Sequence, residues 1–533
     1  GAPHPPLTPK LPNPPPPPPA PRGGGAALAL GAIGSLGALS QRQAQAAATG
    51  ENWTAPVRSP YGPLAPAADE STGLPLLLLP PGFRYSSFSW TGDRMADGQP
   101  VPAKHDGMAV MHGKGGRWFD FGFGRGHGHG HGRGDELILI RNHEVGTAAA
   151  QIAAPGTYDT GTIGTDGLRA GGGTTTLRFR NGRWDSAEAS LAGTLTNCAG
   201  GGTPWGTWLS CEEVKTNAMS SAGRRHGYVF EVHPEAERTT GRPLVAMGRF
   251  SHEAVAVDPR TGIIYLTEDD RNKSGLYRFI PNDRSGRHGA LENGGRLQAA
   301  RVRRKPNADL VIAHVGDEYQ LDWIDIEQPD MDAVPAPIGF PDIGAGDTLS
   351  GPFAQSWAEG GLRMSRGEGI FYADGRMFIV DTSTGKEPSG RLGRGYGAVW
   401  VLDLFTQRLR ALFVSDSQIA AHNPDNVTVS PRGGVVLCED PDAAPAGSPD
   451  NYGPGTRLVA LTRQGAPFYL LKNNVELTAG QIGDAGKTIA EGDYRASEFA
   501  GACWSPEGRT LFVNIQTPGI TFAITGPWER GPL

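Results

Sequence analysis

Asp258-Pro259-Arg260-Thr261-Gly262 runs into Ile263-Ile264-Tyr265-Leu266-Thr267 and then into Glu268-Asp269-Asp270. Proline and glycine beside an aspartate make a tight solvated turn, and the short β-branched, apolar run after it suits a buried strand. The same order recurs down the chain. Ala373-Asp374-Gly375-Arg376 leads to Met377-Phe378-Ile379-Val380 and Asp381, and Ser430-Pro431-Arg432-Gly433-Gly434 leads to Val435-Val436-Leu437-Cys438 and Glu439-Asp440. Leu137-Ile138-Leu139-Ile140 delivers Asn142-His143-Glu144, and Trp208-Leu209-Ser210-Cys211 delivers Glu212-Glu213, so five buried strands end in carboxylates. A further turn, Ser505-Pro506-Glu507-Gly508-Arg509, precedes the run Thr510 to Asn514.

Turn-and-strand repeats at intervals of roughly 40 to 75 residues are what blades of a β-propeller with inserted loops produce. The 78 glycines and 45 prolines favour many short strands over long helices. The expected fold is therefore all-β: a β-propeller, taken as six-bladed, with long loop insertions. If the repeated strands occupy equivalent places, their ends converge on a central channel. Carboxylates gathered there repel one another by several kcal/mol unless cations neutralise them, so the pattern predicts metal.

The chain outside the repeats sets bounds on partners and location. A formal charge of −6, with no basic stripe interleaved with aromatics, leaves no electrostatic footprint for nucleic acid. Residues 1–50 form a segment of their own, with a polyproline run at Pro14 to Pro19, Gly23 to Gly25, the small apolar run Ala26 to Leu39, and Ala44-Gln45-Ala46. This order is that of an export signal, with a flexible Ala/Gly linker as the other reading, and the run is too short to span a bilayer. The expectation is an exported protein, periplasmic or extracellular, without stable membrane insertion and monomeric, with organelle targeting through an N-terminal transit segment as the alternative. Residues 51–533 are expected to form one catalytic propeller domain. Cys198, Cys211, Cys438 and Cys503 have no framework-like spacing, and thiol chemistry at one of them stays open. His127, His129 and His131 alternate with glycine in a tract read as a low-complexity surface loop outside the active site.

Two further sets of residues carry chemistry. Asn197-Cys198-Ala199-Gly200-Gly201-Gly202-Thr203-Pro204-Trp205-Gly206-Thr207 leads through a strand to Glu213, placing a soft thiolate donor near hard carboxylate donors. The glycine run is expected to take positive φ and approach an ion or oxyanion closely. A Gly-rich hairpin with a buried cysteine and a solvated glutamate pair is the alternative. The second set is read on connecting turns: Phe250-Ser251-His252-Glu253-Ala254, Arg366-Gly367-Glu368-Gly369 and His422-Asn423-Pro424-Asp425-Asn426. Arg366 beside Glu368 is either a surface ion pair or, in an acidic metal pocket, a bidentate clamp for phosphate or carboxylate. His143 and His252 are either ligands or core histidines. Between Asp283 and Leu362 little chemistry is visible, and Trp323 with the acidic run Asp325 to Asp332 reads as an elaborated loop or partial blade.

From about Asn142 to the C-terminus the chain resembles the PhoX-type alkaline phosphatases, exported phosphatases dependent on calcium and iron. The long segment Asn197-Cys198-Ala199-Gly200-Gly201 followed by Thr203-Pro204-Trp205-Gly206-Thr207 and Glu213 carries the resemblance. His252-Glu253-Ala254, Arg366-x-Glu368 and Pro424-Asp425-Asn426 support it. The resemblance implies a propeller phosphomonoesterase acting on small-molecule phosphate monoesters, with Fe3+ and Ca2+ joined through a bridging oxygen. Cys198 is then an iron ligand. Glu213, Glu253, Glu368 and Asp425 are carboxylate ligands, and Arg366 binds the substrate phosphate. Asn142, Glu144, Asn197, Glu268 and Asp269 take calcium-binding, substrate-binding or supporting places. Two departures stand out: Arg366-Gly367-Glu368-Gly369 replaces the Arg-Pro-Glu-Asp of the better-known members, and the acidic residues near Glu268 are differently arranged. A calcium-dependent propeller hydrolase of lactones or phosphodiesters, which needs the carboxylates but not Cys198, and a non-catalytic calcium-stabilised extracellular binding module are the other two classes.

Overall fold

A computed structural model describes residues 55–112, 136–441, 450, 452–461 and 466–533. The polyproline run, the expected export signal and the Gly/His tract lie outside these residues.

The repeated unit of the sequence becomes an antiparallel sheet. Six strands, His105–His112, Asn197–Gly202, His252–Val257, Gly367–Ala373, Pro424–Val429 and Phe499–Trp504, stand innermost. Each pairs with its next neighbour along the chain: Glu136–His143, Trp208–Glu212, Ile264–Glu268, Arg376–Asp381, Val435–Glu439 and Thr510–Ile515. The inner strands also pack side by side in chain order, and Phe499–Trp504 lies against His105–His112, so the ring closes on itself. The arrangement is all-β and propeller-like. Among the described residues helix is confined to short pieces such as Gly351–Ala358 and Ala479–Asp484.

Strands from the two ends of the described chain fasten the closure. Arg84–Phe88 pairs antiparallel with Ile520–Thr525, and Leu77–Leu79 pairs with Pro467–Asn473. Apolar layers fill the space between sheets, as with Leu458, Phe468, Leu511 and Ile524, all fully buried. Each such side chain contributes about 1.5–3 kcal/mol relative to exposure.

Glycine allows the ring to be narrow. A Cβ on Gly201 would meet the Val255 carbonyl oxygen at 1.9 Å, and one on Gly501 would meet the Asp106 carbonyl oxygen at 2.5 Å. The glycine run therefore has a different use from the one expected. Gly200, Gly201 and Gly202 are absent from the positive-φ positions, and Gly201 admits the backbone of the neighbouring inner strand rather than an ion.

The segment between Asp283 and Leu362 is also resolved into structure. Gly295–Val302 pairs with Glu318–Asp325, which in turn pairs with Arg408–Val414 and joins two sheets into one of nine strands. Trp323 lies in that linking strand, its indole donating to Gln407 at 2.7 Å. The acidic run beyond it anchors a covering loop: Asp330 accepts from Tyr228 at 2.7 Å and from Arg249 Nε at 2.9 Å.

Candidate active site and metal centre

All six inner strands break register at the same place. The pairing skips residues 106–107, 198–199, 253–254, 368–369, 425–426 and 501–502, one bulge per strand. A bulge sets two residues against one on the partner and re-aims a side chain. The first bulged residues are Asp106, Cys198, Glu253, Glu368, Asp425 and Gly501. Glu253, Glu368 and Asp425 thus sit in the opening residues of inner strands, not on connecting turns as expected.

The carboxylates that end the paired strands divide into two kinds. Glu212, Glu268, Asp381 and Glu439 are buried and accept backbone N–H bonds, from Leu195, Gly275, Ser365 and His422 respectively among others. They fasten loops within the sheets. The residue after the strand does the converging: Glu144, Glu213, Asp269 and Asp440 are all half-buried.

Together the two rows make an acidic bowl with a buried floor and a half-exposed rim. Its donor atoms form four groups, each with ligand atoms within 4.8 Å of one another: Glu144–Cys198–Glu213, Asp106–Glu144–Glu498, Asp425–Asp440–Glu498 and Glu253–Glu368–Asp425. Glu144, Glu498 and Asp425 each belong to two groups, so the four form one connected arc.

Electrostatics argue for cations in this arc. Burial, reinforced by neighbouring carboxylates, pushes Glu213 and Glu253 well above the usual carboxylate range, and burial likewise raises Asp106, Glu368 and Glu498. Burial lifts Glu144 to about 7 and Asp425 to about 7. Burial beside Asp106, Glu253 and Glu213 also raises the Cys198 thiol, so only a cation would hold it as thiolate. Both Glu253 carboxylate oxygens, Asp425 Oδ1 and Glu368 Oε1 are buried without a hydrogen-bond donor. Such atoms are costly to bury unless an ion meets them. Hard oxygens with one thiolate suit a mixed set of ions, in which oxygen-preferring calcium and a thiolate-accepting transition metal both find donors.

Arg366 sits at the rim with its side chain 16% exposed. Nε and Nη2 donate to the two oxygens of Asp269 at 2.9 and 2.6 Å, and Nη2 lies 2.8 Å from Glu368 Oε1. The Nη2–Glu368 approach is an ion pair without hydrogen-bond alignment, which is why the oxygen still lacks a donor. Burial works against the charge on Arg366, but Glu368 and Asp269 outweigh it and hold the guanidinium firmly protonated.

Three residues marked in the sequence point elsewhere. Asn142 donates to the carbonyls of Cys198 and Ala199 at 3.0 and 2.7 Å and accepts from Trp208 and Ser210. It shapes the Cys198 bulge from behind. Asn197 bonds Thr194 and Ser210, and Glu268 accepts from Gly275, Tyr277 and Ser350. Glu268 lies outside the four donor groups, and the amides of Asn142 and Asn197 are engaged by these bonds. His143 bonds Ala103 and Thr175, and His252 bonds the Gly248 carbonyl, with burial lowering both imidazoles below their ordinary value. They are core histidines.

Asp106, Asp440 and Glu498 join the arc without having been marked as ligands. Asp106 had a signal: His105-Asp106-Gly107 repeats the His252-Glu253-Ala254 order of an acid followed by a small residue at a strand start. Glu498 precedes its inner strand on a loop and follows no such pattern.

The model of the alkaline phosphatase PhoX family matches residues 59–190 and 184–519. The chain belongs to the PhoX alkaline phosphatase family. Membership makes it an alkaline-phosphatase-type enzyme. Pseudomonas fluorescens PhoX, solved in complex with vanadate as a transition-state analogue, is 17% identical over 87% of this chain and 97% of its own, with a TM-score of 0.55. That likeness is one of fold. A gluconolactonase from Xanthomonas campestris is 12% identical over 87% of this chain and 98% of its own, at a TM-score of 0.32. No curated protein matches the chain. Among the described residues no helix is long and apolar enough to cross a membrane.

Proposed function

We propose that this PhoX-family chain is a phosphomonoester hydrolase, built as a six-bladed propeller, that releases inorganic phosphate from small-molecule esters at the acidic bowl. The observation that carries the reading is the connected arc of four donor groups beside one oriented arginine. The arc is assigned to calcium and ferric ions. Cys198 and Glu213 hold the iron with Glu144, and Glu253, Glu368 and Asp425 hold the neighbouring position. Asp106, Asp440 and Glu498 complete the oxygen donors. When bound, the ions neutralise charge on the ester's phosphoryl oxygens and lower the barrier to water attack.

Arg366 is the substrate-binding residue. Asp269 fixes the plane of its guanidinium, so the charge is held at the rim of the bowl without reorganisation as charge develops on the phosphoryl group. Asn142 and Asn197 act indirectly, by shaping the Cys198 bulge, and Glu268 by fastening the loop that carries Asp269. The chain is read as exported and monomeric, with its ions loaded in the propeller channel.

The test is turnover of p-nitrophenyl phosphate by the purified chain before chelation, after it, and after calcium and iron are returned. Turnover that chelation abolishes and the two ions together restore supports the reading. Turnover indifferent to chelation, or no phosphate release from the metal-loaded chain, removes it.

A further inference from the structure

Gln516 sits where no ligand was expected. Its amide Nε2 lies 3.3 Å from Asp106 Oδ2, 2.5 Å from Glu144 Oε2 and 2.5 Å from Glu498 Oε1. These three residues are one of the four donor groups of the arc. Calcium sits about 2.3–2.6 Å from carboxylate oxygens, so the amide nitrogen stands close to where an ion held by these three would stand. The other end of the amide is also engaged: Gln516 Oε1 accepts from Lys104 Nζ at 2.9 Å. The partners fix its orientation, because three carboxylates need an N–H donor and an ammonium needs an oxygen.

Lys104 is itself unusual. It is exposed, precedes the inner strand that carries Asp106, and holds φ at 55°. A non-glycine residue in the left-handed region costs of order 1 kcal/mol or more, and the backbone here brings the lysine to the rim of the bowl.

We infer that Gln516 is a placeholder for the cation at Asp106, Glu144 and Glu498, and that loading of this position requires its amide to turn, presenting Oε1 to the ion and releasing Lys104. In the metal-free protein the amide hydrogens quiet the repulsion among three carboxylates. An N–H cannot share the position with an ion. Rotation of the amide exchanges donor for acceptor, which suits calcium, and sets Nε2 against the Lys104 ammonium, so the lysine is released. The inference rests on the metal reading of the bowl and assigns a residue to one step within it.

The experiment is calcium titration of the full chain after chelation, read by melting temperature and by calcium bound per chain, for the wild type, Lys104→Ala and Gln516→Glu. Removing Lys104 frees the amide, so its calcium midpoint is expected about three-fold lower than wild type, the worth of one modest hydrogen bond. Gln516→Glu removes the placeholder and adds an oxygen donor. It is expected to melt lower than wild type in chelator, and to gain more from calcium. Midpoints and chelated melting unchanged in both variants, with calcium still bound, would overturn the placeholder and leave the metal reading standing. No calcium bound by the wild-type chain would overturn both.

Discussion

The guanidinium of Arg366 is held edge-on by Asp269, which comes from a neighbouring strand pair, through bonds of 2.9 and 2.6 Å. The orientation of the guanidinium is thereby set before any substrate arrives. Arg366→Ala is expected to lower kcat/KM by about 10²–10³-fold, the usual loss when a preorganised donor to developing charge is removed. Inhibition by inorganic phosphate should weaken in parallel, and Arg366→Lys should not restore it, since an ammonium cannot keep the paired bonds to Asp269 that orient the guanidinium. Normal phosphate inhibition in Arg366→Ala would take the clamp away from this residue.

The bowl also sets a pH dependence for the metal-free protein. Glu144 and Asp425 are pushed up to about 7 by burial, against about 4 in an unfolded chain. The folded state therefore binds more protons than the unfolded state between these values, and stability falls as pH rises from about 4 to about 7. In chelator the protein should melt higher at pH 5 than at pH 7.5, and calcium should close most of that gap by neutralising the same carboxylates. Equal melting at the two pH values in chelator would mean that these groups do not titrate together in the fold.

His226 works in the opposite range. Its ring nitrogens meet Glu212 at 2.7 Å and Asp159 at 2.9 Å. Burial opposes its charge, but Glu212 and Asp159 outweigh burial and lift it to about 9. A raised imidazole stabilises fully below its unfolded value near 6.5 and ceases to do so as pH passes about 9. His226→Gln should cost about 2–3 kcal/mol near pH 6 and flatten the loss of melting temperature between pH 6.5 and 9.5. A wild-type melting temperature that does not fall across that interval would show that the pair is uncharged.

Gly501 occupies the bulge position that carries an acid or a cysteine in the other five inner strands. Its φ is +64° and an added Cβ would lie 2.5 Å from the Asp106 carbonyl oxygen. Gly501→Ala is expected to destabilise the chain by about 1–3 kcal/mol from the backbone conformation alone, and by more through displacement of Asp106. Unfolding in urea measures this directly. A variant as stable as wild type would mean that the ring tolerates widening at this seam.

The propeller-like fold was legible because an apolar run ending in an acid recurs in five of the six strand pairs, several of them after a Pro- or Asp-Gly turn, and the recurrence survives large insertions. What that grammar misplaced is instructive. It aimed Glu268 and Asp381 at the channel, whereas these buried acids accept backbone N–H bonds and the residue after the strand points inward, as Glu144, Glu213, Asp269 and Asp440 do. A one-residue step along a strand reverses the face, and hydrophobicity marks where a strand ends only to within a residue or two. The bulges explain the rest. Their signature, an acid or cysteine followed by a small residue as in Asp106-Gly107, Cys198-Ala199 and Glu368-Gly369, is only two residues long. Gln516 carried no signal, because an amide enters such a bowl through its distances to Glu144 and Glu498 and not through its type.

The donors around Cys198 and Glu253 are proposed to hold ions of two kinds. Elemental analysis of the purified wild-type chain beside Cys198→Ser and Glu253→Gln tests it most directly. Iron and calcium together are expected in the wild type, loss of iron with calcium largely retained in Cys198→Ser, and fewer ions per chain in Glu253→Gln. Wild-type protein with calcium but no iron, or iron undiminished in Cys198→Ser, would contradict it.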